Sequence, residues 1–126
     1  YEKKRAQSLS EEGYISIAID LFGIDTKLEG FKDYRRETGA LYGNREEFRK
    51  RIKKAIDIGK EAYGIEGKNY LMGYCFGGAA VLEAARAGID MNGFISFVLK
   101  HRKVKIIKKQ ILKFYYYTDQ QIQFQG

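Results

Sequence analysis

The sequence predicts a three-layer α/β fold with a parallel central sheet, and three observations lead there. Apolar residues switch between helical and strand period along residues 1–97. The resulting order of helix, strand, helix, strand, helix, strand is the pattern of βαβ units, whose strands run parallel. Finally, one short strand ends in Gly73-Tyr74-Cys75-Phe76-Gly77-Gly78, which sets a thiol where strand gives way to helix.

The elements follow in chain order. EKKRAQSLSEE consists mostly of helix formers and stops at Gly13, a residue suited to a left-handed cap. YISIAID is a short run rich in β-branched residues and predicts a buried strand over 14–20. LFGIDTKLEGFKDYRRETGALYG, rich in glycine and charge, predicts a long excursion with one short helix. Asn44 and Glu47 have the spacing of a capping box. Behind them Phe48, Ile52, Ala55, Ile56, Gly59 and Tyr63 recur at steps of three and four, while Arg49, Lys50, Lys53, Lys54 and Lys60 fall elsewhere. That is an amphipathic helix with a basic outer face. NYLMGY then predicts a strand, GGAAVLEAARA a small-residue helix closed by Gly88, and GFISF a further strand.

Composition bounds the function. A chain of 126 residues suits one domain. With 44% apolar and 31% charged residues it has no apolar run near the roughly 20 residues that span a bilayer. A single cysteine forms no internal disulfide and no signal-peptide pattern opens the chain, so the cytoplasm is the expected compartment. The first residue is Tyr1, which is not expected to be the biological start. The net charge of +7 is uneven. Residues 1–97 hold 16 Lys and Arg against 15 Asp and Glu, whereas residues 98–126 hold 7 against 1. We therefore expect a core over 1–97 and a basic, poorly ordered tail over 98–126. KHRKVKIIKK lacks interleaved aromatics and any nucleic-acid motif, so nucleic acid is not the expected partner. Nor is a membrane, and oligomeric state is left open.

The strand–helix corner carries the chemistry. Such a turn strains the backbone at its central residue and brings strand and helix close, so its flanks must be small; Gly73, Gly77 and Gly78 meet that need. The helix N-terminus favours negative charge at Cys75, and the backbone N–H of Phe76 points to where an acyl oxyanion would form. The alternative is a small buried thiol packed in a tight crossing.

These residues resemble the dienelactone hydrolase family of α/β-hydrolases, whose G-x-C-x-G-G elbow carries a cysteine nucleophile. AQSLSEEGYISIAIDLFG is similar to the family's upstream helix, strand and loop, with Ile19 where proline is usual. GYCFGGAAVLEAARAGIDMNGFISF matches the elbow, its helix and the next strand. The resemblance covers residues 1–97 and implies an α/β-hydrolase fold, seen incompletely. It implies hydrolysis of small esters or lactones by acyl transfer, with no metal or organic cofactor. Cys75 becomes the nucleophile and Phe76 an oxyanion donor through its N–H. The family's second oxyanion donor would precede Tyr1.

In this fold an acid and then a histidine follow the nucleophile. His101, the only histidine, precedes any plausible acid and is not expected to be the base. Asp119, in YYYTDQQI, faintly resembles the family's acid, although Tyr116 stands where the family has glycine. The tail from about Val98 reads as an out-of-frame stretch. Codons exist for KKQILKFYYYTDQQIQFQG that, shifted by two nucleotides, give approximately KANFKVLLLHGSADPVSG, an H-G-x-x-D segment with the acid near Gln121 and Ile122. The expected function is thus a dienelactone-hydrolase-like hydrolase. The alternatives are a catalytically inactive fragment of that fold, or a small anion-binding protein using the basic tail.

Overall fold

The computed structural model describes residues 2–98, 103–108, 111–118 and 121–125. Helix α1 spans Glu2–Glu11, α2 Phe31–Gly43 and α3 Arg45–Tyr63. Strand β1 (Tyr70–Tyr74) leads into α4 (Phe76–Arg86), which returns to β2 (Gly93–Val98). Strands β3 (Lys103–Lys108), β4 (Ile111–Thr118) and β5 (Gln121–Gln125) complete a sheet of order β1-β2-β3-β4-β5. None of the described helices is long and apolar enough to cross a membrane.

β1 and β2 pair in parallel, Tyr70 opposite Gly93 through Tyr74 opposite Phe97, with α4 as the crossover. β3, β4 and β5 then follow in antiparallel pairing. Chain length explains the change. A parallel connection needs about a dozen residues or more, whereas only residues 99–102 separate β2 from β3. The parallel arrangement expected for the sheet is therefore found in its β1–α4–β2 unit.

Helices lie on both faces of that unit. Leu71 and Gly73 of β1 and Phe94 and Ser96 of β2 alternate onto the face covered by α4, where Phe94, Ser96, Val81 and Ala84 are buried. On the opposite face Tyr74 stacks on Phe97 at 4.4 Å, and the Arg5 guanidinium of α1 lies 5.5 Å from the Tyr74 ring.

Helix α3 forms for the reason its sequence gives. Asn44 Oδ1 accepts a hydrogen bond from the Glu47 N–H at 3.1 Å, which satisfies one of the helix's orphan donors. The reciprocal half of the box is replaced, since Glu47 pairs with Arg51 at 2.9 Å. Phe48, Ile52 and Ile56 are buried, each burial contributing about 1.5–3 kcal/mol. Tyr63, expected on the same face, is exposed. Periodicity says which residues share a face, not how far a neighbour covers it. Left-handed glycines follow α1 and α4, at Gly13 (φ 92°) and Gly88 (φ 70°), as expected.

Two expectations are corrected. The short helix expected within 21–43 is the 13-residue α2, which seats Thr38 and Leu41 in the core at helical spacing. Residues 14–20, expected as a strand, join no ladder. Their alternation still serves packing: Ile19, with Leu21 and Phe22 beyond, packs on the core, and Ile17 lies against Gly59 of α3. A β-rich run supplies no hydrogen-bonding neighbour of its own, and Ile15, in phase with Ile17 and Ile19, is exposed rather than buried. Arg51 Nη1 instead ties this segment to α3 through the Leu21 carbonyl at 3.2 Å.

Candidate active site

Cys75 adopts φ 53° and ψ −113°, and among the described residues it is the only one other than glycine with positive φ. Holding a side-chain-bearing residue there costs on the order of 1–3 kcal/mol. Backbone hydrogen bonds on both sides maintain it. The Cys75 N–H donates to the Phe97 carbonyl at 2.9 Å, and the Ala79 N–H donates to the Cys75 carbonyl at 3.1 Å. The first clamps the corner to β2, the second to the opening turn of α4. The thiol is exposed, which removes the alternative of a small buried cysteine.

The glycines around it differ in what they do. A Cβ on Gly73 would lie 2.1 Å from the Gly77 carbonyl oxygen, and one on Gly78 would lie 2.8 Å from that of Phe97. A Cβ on Gly77 would meet nothing within 4 Å. The close approach therefore falls on Gly73 and Gly78, while Gly77 contributes the carbonyl that Gly73 must clear. Fully buried Ser96 completes the seam, its hydroxyl donating to the Gly78 carbonyl at 2.9 Å. Sequence reasoning passed over Ser96. Its signal was a small polar residue at an inward position of GFISF, on the same face as Gly73.

The N–H groups of Phe76 and Gly77 open α4 and have no acceptor within the helix. The Phe76 side chain turns inward and anchors the corner in an aromatic cluster. Its ring stacks between Phe22 at 5.3 Å and Phe48 at 5.1 Å, with Tyr42 edge-on at 5.5 Å and Tyr34 at 6.4 Å. Asp20 helps to position Phe22, its carboxylate accepting from the Phe22 N–H at 2.9 Å. Burial raises the pKa of the Tyr34 and Tyr42 phenols above the usual value, and negative charge at Cys75 adds to the rise. Both phenols thus lie within electrostatic reach of the sulfur, and both were absent from the site expected from sequence. Nothing in the spacing of α2 marks them, because they join the corner through the Phe76 ring, a tertiary contact.

The remaining candidates, His101 and Asp119, lie outside the described residues. Thus Cys75, Phe76, Gly73, Gly77 and Gly78 come together, and the acid and base are not part of the described site.

A parallel βαβ unit whose strand-to-helix corner holds a residue in strained, positive-φ geometry is the arrangement of the elbow in α/β-hydrolases. A profile of the dienelactone hydrolase family matches residues 2–125, and the chain belongs to that family. Comparison with curated proteins and with solved structures returned no significant match.

Proposed function

We propose that this chain hydrolyses small esters or lactones with Cys75 as nucleophile. One observation carries the reading: an exposed thiol is held at φ 53° at the N-terminus of α4. Strain is maintained there by two backbone hydrogen bonds, and an inert thiol would have no use for it. Family membership supplies the reaction class.

In the proposed reaction the Cys75 sulfur attacks the carbonyl carbon and forms a C–S bond, and the carbonyl π electrons move onto oxygen. The Phe76 N–H donates to that oxyanion. Collapse breaks the C–O bond, and the alkoxide leaves, taking up the proton that the Cys75 thiol gives up as the C–S bond forms. Water then attacks the thioester, releasing the acid and returning the thiol. The second half needs a base to deprotonate water, and this is where the reaction of the present sequence is slowest.

The test is hydrolysis of p-nitrophenyl acetate. We expect a burst of about one equivalent of p-nitrophenol, then slow turnover, with the burst abolished in Cys75→Ala. A burst that survives this substitution would remove Cys75 from the reaction. A chain with no burst at all belongs to an inactive member of the fold.

A further inference from the structure

Where α3 begins beside α4, three guanidinium groups converge on one carboxylate. Arg45 Nε and Nη2 donate to Glu83 at 3.3 and 2.8 Å, Arg49 Nε at 2.9 Å and Arg86 Nη1 at 2.7 Å. The Glu83 side chain is 8% exposed, against 57% for Arg45 and 55% for Arg86. The cluster is unbalanced, with three cations facing one anion. The acids of the opening turn of α3 do not correct this: Glu47 is engaged by Arg51, and Glu46 forms no ion pair with any of the three arginines among the described residues.

Each guanidinium carries five N–H donors, so four bonds to Glu83 leave most of the donors of Arg45 and Arg86 uncommitted. Both residues line a cleft of about 300 Å³ together with Glu83 and the ring of Tyr42. The N-terminus of the 19-residue α3 opens at Arg45 and adds its own positive potential. Cys75 does not line this cleft, but Tyr42 is shared with the aromatic cluster around Phe76.

We propose that this cleft binds a small multivalent oxyanion, a phosphate or a polycarboxylate, separately from the thiol site. Glu83 serves as a built-in counter-ion that holds the three arginines in a fixed fork, and the ligand balances the charge that Glu83 leaves over. The fork geometry favours a group with several oxygens over a halide.

The experiment is thermal unfolding at pH 7 with inorganic phosphate against sodium chloride of matched ionic strength, and succinate as a third arm. Isothermal titration gives the affinity directly. We expect a saturable rise in Tm with phosphate or succinate that chloride does not reproduce. The stronger of the two identifies phosphate or carboxylate as the natural chemistry. Arg45→Gln leaves two guanidiniums on Glu83 and should weaken the apparent Kd about tenfold or more. Glu83→Gln should lower Tm without ligand and gain more from phosphate than the wild type, because the ligand then supplies the missing charge. The proposal is overturned if chloride matches phosphate, or if Arg45→Gln binds phosphate as the wild type does. If Glu83→Gln does not fold, the wild type and Arg45→Gln still decide.

Discussion

Cys75 is strained because its neighbours permit no other path. Its N–H is clamped to β2, its carbonyl is clamped to α4, and Gly73 sits close beneath the Gly77 carbonyl. An exposed thiol in this setting should react with iodoacetamide under native conditions. Labelling that requires denaturant would contradict the corner as described. The two glycines give a sharper comparison. Gly73→Ala places a methyl group 2.1 Å from a backbone oxygen, which no rotamer relieves, so we expect a loss of about 3 kcal/mol or more and a displaced thiol. Gly77→Ala adds a methyl group in open space within a helix, so it should be neutral or stabilising by up to about 1 kcal/mol. Equal effects of the two substitutions on the denaturation midpoint would mean that the close approach is not what makes Gly73 necessary.

Among the elements, the α3–α4 contact is held by the Glu83 cluster as well as by apolar packing. Burial pushes the Glu83 carboxyl up, but hydrogen bonds from Arg45, Arg49 and Arg86 more than reverse this and bring it from 4.5 to about 2. The folded value lies below the unfolded one, so the stabilisation is complete above about pH 4.5 and is lost as pH falls towards about 2. Stability measured across that window should fall steeply in the wild type and more gently in Glu83→Gln, which should already be weaker at pH 7. Only the Glu83–Arg86 pair of the cluster is local, and the rest was hidden from sequence reading because Arg49 and Arg45 stand 34 and 38 residues from Glu83. Local signals were legible: the Asn44 cap, the Phe48–Ile52–Ile56 stripe and the glycine-flanked corner each depend on residues a few positions apart. Residues 14–20 mark the limit, since a run rich in β-branched residues could not say whether a neighbouring strand exists, and Ile15 stays exposed while Ile19 packs on the core.

Across the whole molecule, the charge balance changes near residue 97. Positive and negative charges are nearly even before it, whereas 7 basic residues face 1 acidic residue after it. The resemblance expected over residues 1–97 reaches further, since the family profile aligns through residue 125. The composition after residue 97, dominated by Lys, Ile, Tyr, Phe and Gln, is what AT-rich codons give in a wrong frame. We propose that residues from about Val98 are read out of frame, with the family's acid encoded in the shifted frame near Gln121 and Ile122. The consecutive tyrosines at 115–117 give leucines when shifted by two nucleotides, as the buried strand ahead of an H-G-x-x-D turn requires. The coding DNA decides the matter. An H-G-x-x-D segment in the shifted frame, with no stop before it, is the expected outcome, and a chain with the frame restored should replace the single burst by sustained turnover. Stops in that frame, or no such segment, would make the tail a genuine basic extension. The continuous family alignment to residue 125 would then be its natural description, and the general base would have to be sought within the translated chain.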